Sequence, residues 1–172
     1  MNLPNALTCV RIALIPLFAY VYYLPEPRWA LMIFLLAGTT DLLDGYLARK
    51  WQQVTSFGKL MDPLADKLLT LTALYVLADT GHIHWWMVWA MLGKELVMVL
   101  GAALMLRHTV VAADLSGKLA TTAFTLAVFA VFPWHSYAWL TRAGGALMYL
   151  AVALSLYAMV HYGLSAIRGG KK

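Results

Sequence analysis

Four aspartates, Asp41, Asp44, Asp62 and Asp66, make up half of the eight acidic residues in a chain of 172. Asp41 and Asp44 are three apart, and Asp62 and Asp66 four apart, so each pair projects from one face of a helix. The surrounding segments are built for lipid, where a carboxylate is costly to keep. Two helices joined by a short connection pack side by side and can turn both pairs towards one cleft. Carboxylates crowded there cannot all ionise unaided, because like charges raise one another's pKa. A hard divalent cation, Mg2+ or Mn2+, would neutralise them, and two cations sharing carboxylates suit phosphoryl or phosphatidyl transfer.

The residues between the acids are small: Gly45, Ala48 and Gly58. Small residues permit close helix packing in membrane bundles. Beside aspartates they also permit a flat ligand to lie against backbone. Arg49 follows Ala48 and reads either as a phosphate partner or as a basic anchor on the cytoplasmic side.

The elements that must position these residues are membrane helices. The chain is 62% apolar and only 12% charged, with a mean hydropathy of +0.72, whereas globular domains carry roughly a quarter charged residues. A span needs about 20 residues, so the length accommodates a bundle of six transmembrane helices as a single domain over residues 1–172, and the site must lie within it. Residues 1–11 read as an interfacial segment, with Asn5, Thr8 and Arg11 on one face. Spans are expected near residues 12–24, 29–50, 56–79, 85–106, 118–131 and 144–164. Pro25 and Pro27 mark the first turn. Thr55 or Ser56 is placed to cap the third helix, and Pro63 interrupts its hydrogen bonding at Lys59.

Lys and Arg set the orientation. Arg11, Arg49, Lys50, Lys59, Arg107, Lys118, Arg168, Lys171 and Lys172 fall on one side and Arg28 and Arg142 on the other. That imbalance predicts both termini, and the aspartates, at the cytoplasmic face. The net charge of +5 then speaks to orientation and anionic head groups rather than to nucleic acid. The lone Cys9 excludes an intrachain disulfide and a Cys-based metal site. No signal-peptide pattern opens the chain, and the N-terminus is expected to be mature. His82 and His84 fall in an outer loop and read as solvated. Gly93-Lys94 and Gly117-Lys118 lack the remaining P-loop positions.

The pattern D-x2-D-G-x2-A-R-x8-G-x3-D-x3-D, complete here as Asp41, Asp44, Gly45, Ala48, Arg49, Gly58, Asp62 and Asp66, resembles that of the CDP-alcohol phosphotransferases. The resemblance extends to the opening P-N-x2-T-x2-R (Pro4, Asn5, Thr8, Arg11), to D-P-L-A-D-K at residues 62–67 and to the six-helix plan. It implies a two-metal site of Mg2+ or Mn2+ held by Asp41, Asp44, Asp62 and Asp66, with Asp66 also the general base on an acceptor hydroxyl. It implies a CDP-diacylglycerol donor seated by Asn5, Thr8, Gly45, Ala48, Arg49 and Gly58, with Arg49 at the pyrophosphate. A homodimer in the cytoplasmic membrane is expected on the same ground.

Residues 62–67, Lys94-Glu95-Leu96 and Gly117-Lys118-x2-Thr121 look like the branch of the family whose acceptor is sn-glycerol 3-phosphate. Arg11, Lys67, Lys94 and Lys118 are the candidate ligands of the acceptor phosphate, and Lys94 reads alternatively as the structural partner of Glu95 or of a nearby aspartate. This branch usually carries arginine where Lys94 stands and a second basic residue where Ala120 stands. The branch that accepts phosphatidylglycerol is the nearest rival. A cation transporter is the competing class, because acids in a bundle also mark ion paths.

Overall fold

The computed structural model describes residues 3–26, 28–51, 55–104, 115–132 and 138–169, with side chains at all of these except 3, 4, 42, 44–49, 56, 59, 102–104, 115–118, 138 and 166–169. The described chain is all-helical: α1 (Leu3–Tyr22), α2 (Arg28–Lys50), α3 (Ser56–Asp79), α4 (Trp85–Leu104), α5 (Leu115–Val131) and α6 (Ala138–Gly169). It divides within α3 into two compact units, Met1–Val76 and Leu77–Lys172.

In the first unit the buried positions of α1 are Thr8, Arg11, Ile15, Phe18 and Tyr22, a stripe at alternating spacings of three and four that stays on one helix face. Its C-terminal half is apolar and packs on α2, where Ala30, Phe34 and Ala37 are buried and the Phe18 and Phe34 rings lie 5.7 Å apart. The N-terminal half of the same stripe is polar. Residues 3–11 are thus the first turns of α1 rather than a separate segment, and Thr8 and Arg11 are buried there against carboxylates. Pro16 sits inside α1 and Pro63 inside α3, and both helices run through them. On α3 the buried Ala65, Leu69, Ala73 and Val76 continue the stripe that begins at Asp62.

The second unit opens with a sharp helix end. Gly81 takes the left-handed conformation at φ 76°; its N–H donates to the Ala78 carbonyl at 3.0 Å and that of His82 to the Leu77 carbonyl at 2.8 Å. These are the paired bonds by which a glycine closes a helix C-terminus. Further on, α5 buries Ala120, Phe124, Ala127, Val128 and Val131, and α6 buries Met148, Ala151, Val152, Ser155 and Ala158. The two helices approach so closely at Gly144 that a Cβ there would lie 2.4 Å from the backbone of Ala130 and Val131. That contact assigns Gly144 to packing within the chain.

Helix boundaries move at polar ends. α5 starts at Leu115 rather than near Lys118, and α6 runs from Ala138 to Gly169 rather than over 144–164, because Thr141, Arg142 and Arg168 extend helices beyond the apolar stretch. Large apolar side chains face outward: Leu17, Leu36, Leu60, Leu126, Leu150 and Val160 are all 45% exposed or more. Both units thus carry large apolar side chains on their outer faces, as helices that meet lipid do. Among the described residues, Asn5–Tyr22 of α1 and Trp139–Ser165 of α6 are long and apolar enough to cross a membrane.

Candidate active site

The site of the first unit is assembled on the polar end of α1. Thr8 Oγ1 donates a 2.6 Å hydrogen bond to Asp62 Oδ1 of α3, and Arg11 Nη1 lies 2.7 Å from Asp41 Oδ1 of α2. Thr8 is 1% exposed and Arg11 wholly buried. Because Thr8 and Arg11 are three apart on one helix face, Asp62 and Asp41 are drawn to neighbouring points on α1. A buried guanidinium needs a counter-charge to offset its lost hydration, and Asp41 provides it.

The N-terminus of α3 is fixed by the same helix. Thr55 caps α3, accepting the N–H of Gly58 at 3.0 Å as an N-cap hydroxyl does from the third helical residue. Its own proton goes to Asn5 Oδ1 at 2.7 Å. Gly58 is buried, and a Cβ built on it would stand 3.3 Å from Thr55 Oγ1 and 3.4 Å from both Asn5 Oδ1 and Asp62 Oδ2. The space that Gly58 leaves is therefore lined by oxygen atoms. A side chain there would crowd all three.

Asp41, with 41% of its side chain exposed, keeps an open side despite its pairing. Asp62 is half-buried and Asp66, one turn further along α3, is exposed. The donor chemistry is carboxylate oxygen, which fits hard cations such as Mg2+ or Mn2+. Among the described residues no three His, Cys, Asp or Glu side chains gather closely enough to hold an ion. The side chain of Asp44, the remaining expected ligand, lies outside the described residues, as do those of Ala48 and Arg49 and the surroundings of Gly45.

A family profile described as CDP-alcohol phosphatidyltransferase matches residues 1–157. The chain belongs to the CDP-alcohol phosphatidyltransferase family. A relative from Salmonella paratyphi A, named CDP-diacylglycerol–glycerol-3-phosphate 3-phosphatidyltransferase, is 39% identical over 98% of this chain and 96% of its own. One of the same name from Escherichia coli K12 is 39% identical over 97% and 95%. Membership gives the residues around Gly58 their context, since the family pattern runs from Asp41 to Asp66 through both helices that α1 ties together. It also makes the chain a transferase.

Of the residues expected at this family's site, the structure brings Asn5, Thr8, Arg11, Asp41, Gly58 and Asp62 together. Arg11, expected at an acceptor phosphate, has Asp41 as its immediate partner. Lys67 is half-buried on α3. Lys94 belongs to the second unit, where it pairs with Glu95 at 2.7 Å and donates to Ser155 Oγ of α6 at 3.0 Å. The side chain of Lys118 lies outside the described residues. Thr55 joins the site by its bond to Asn5, which the sequence did not reveal. Its only signal was a capping residue three positions before a buried glycine.

Outside this site, His84 is exposed and hydrogen-bonded to the Tyr149 hydroxyl at 3.1 Å, so it is not simply solvated. His82 is half-buried and contacts Thr80 Oγ1 at 2.9 Å. Burial holds its pKa below the ordinary histidine value, since losing water disfavours the imidazolium.

Proposed function

We propose that this chain transfers the phosphatidyl group of CDP-diacylglycerol to the hydroxyl of sn-glycerol 3-phosphate, giving phosphatidylglycerophosphate and CMP. The observation that carries the reading is the arrangement on α1: Thr8 on Asp62 and Arg11 on Asp41, beside the oxygen-lined space at Gly58. The names and nearly full-length identity of the relatives support the same donor and acceptor.

Asp41, Asp44, Asp62 and Asp66 would hold two divalent cations, Mg2+ or Mn2+. When bound, these supply positive charge at the donor pyrophosphate. Thr8 and Arg11 each engage one carboxylate oxygen and so fix which way Asp62 and Asp41 face. Asn5 and Gly58 would contribute to the nucleotide seat with Gly45, Ala48 and Arg49, a guanidinium being suited to the pyrophosphate as a charge-assisted donor. Asp66, exposed and one turn from Asp62, accepts the proton of the acceptor hydroxyl. The freed oxygen attacks the phosphorus that bears the diacylglycerol, the bond to the CMP oxygen breaks, and CMP leaves with that electron pair.

Arg11 is engaged by Asp41 and Lys94 by Glu95, which leaves Lys67 and Lys118 as the first candidates for the acceptor phosphate. The chain crosses the cytoplasmic membrane six times as a homodimer, with both termini and the site at the cytoplasmic face; the skewed Lys and Arg distribution supports this orientation. Detergent-solubilised protein given CDP-diacylglycerol, Mg2+ and an equal mixture of glycerol 3-phosphate and phosphatidylglycerol should release CMP and form phosphatidylglycerophosphate, identified by mass spectrometry. Cardiolipin as the product would reassign the acceptor, and no CMP would sink the reading.

A further inference from the structure

The second unit contains a cavity of about 300 Å³ between the α3–α4 turn and the first turns of α6. It uses none of the residues of the aspartate site. Its floor is apolar, with Ile83 6% and Met87 1% exposed. Its rim is polar: His84 and Tyr149, joined by their hydrogen bond, stand with Thr141 and Arg142. Arg142 is exposed, and no carboxylate among the described residues is paired with it. His82 and His84 line the cavity as well; burial holds His82 towards its neutral form, and Arg142 brings a fixed positive charge.

The same end of the unit carries exposed indoles. Trp85, Trp86, Trp89 and Trp139 are between 42% and 68% exposed, and the Trp86 ring lies 5.8 Å from that of Tyr149. Exposed indoles gathered at helix ends mark the level of lipid head groups. A cation and hydroxyls above an apolar floor, at that level, match a molecule with an anionic head and an apolar body. A free phosphate would leave the floor unused.

We propose that this cavity is a binding site for an anionic phospholipid, its phosphate on Arg142 and Thr141 and its glycerol and first acyl carbons against Ile83 and Met87. Gly145 offers a way to close the site without touching its charge, because a Cβ there meets nothing within 4 Å. The test is native mass spectrometry of the full chain, released from detergent after equilibration with equal phosphatidylglycerol and phosphatidylcholine of matched chains.

The wild type should retain phosphatidylglycerol preferentially. Arg142→Gln and Gly145→Leu should each reduce that preference about tenfold, the scale of one charge-assisted contact. Arg28→Gln, which removes an exposed arginine paired with Glu26 elsewhere on the chain, should leave it unchanged. Gly145→Leu keeps the charge and reads the cavity even if Arg142→Gln fails to fold. Wild-type preference in Gly145→Leu, or in a folded Arg142→Gln, would overturn the proposal. Displacement of the lipid by millimolar inorganic phosphate would overturn it too, reducing the site to one for small anions.

Discussion

Gly58→Ala separates the packing role of a small residue from its role as a ligand seat. The new methyl would meet Thr55 Oγ1 at 3.3 Å and the oxygens of Asn5 and Asp62 at 3.4 Å, tight contacts that shifts of a few tenths of an ångström relieve. Alanine is favoured over glycine in a helix by roughly 0.5–1 kcal/mol, and crowding three oxygens takes back a similar amount. Thermal stability in detergent should therefore stay within about 0.5 kcal/mol of wild type, on the scale of a neutral substitution. Activity should not. The methyl presses on the oxygens of Asn5 and Asp62, proposed for the donor and for a cation, and displacing a reacting group by about 1 Å can cost a hundredfold in rate. CMP release should show kcat/KM for CDP-diacylglycerol reduced by about tenfold to a hundredfold, or ~1.4–2.7 kcal/mol. Gly38→Ala on α2, whose Cβ meets nothing within 4 Å, should leave turnover unchanged. Wild-type kcat/KM in Gly58→Ala would refute the donor seat, and a large loss of stability would refute the packing account.

Gly144→Ala should behave in the opposite way, since its Cβ would fall 2.4 Å from backbone. Forcing α5 and α6 apart should lower stability by about 1–3 kcal/mol or more, visible as a drop in melting temperature. Asp66→Asn, at an exposed position, should abolish CMP release while leaving the melting temperature near that of wild type; normal turnover would remove Asp66 as the base. Lys94→Met strands Glu95, which is only 17% exposed at its side chain, and should lower stability by about 1–3 kcal/mol, recovered in part by adding Glu95→Gln. A raised KM for glycerol 3-phosphate with unchanged stability would instead place Lys94 at the acceptor. His82 has a folded pKa below its unfolded value of 6.5, so the unfolded chain binds the proton more readily. Its contribution is full above about pH 6.5 and falls as pH drops from there, and His82→Gln should flatten that part of the stability profile measured by melts across the range.

The aspartates and their helices were legible in the sequence because the pattern is local: spacing within one helix fixes which side chains share a face. The start of the third helix was legible for the same reason, with Thr55 or Ser56 as its cap, and the bond from Gly58 N–H to Thr55 Oγ1 decides for Thr55. What local spacing cannot specify is which face meets which partner. Arg11 was a candidate ligand because a phosphate-bearing acceptor needs cations around it, and the structure places it buried against Asp41. The hint lay in the spacing of Thr8, Arg11, Ile15, Phe18 and Tyr22, a single stripe that turns from polar to apolar. A polar residue on the buried side of an otherwise apolar helix must meet a polar partner on its neighbours, since nothing else in a lipid-facing bundle satisfies it. On that logic Lys94, on a different helix from every aspartate of the motif and set in an apolar segment, needed a partner of its own, and it has Glu95 and Ser155. Among the described residues, the cations least exposed to solvent, Arg11 and Lys94, are thus each committed to a carboxylate, and the cations that meet a substrate or a lipid are to be sought among the exposed ones.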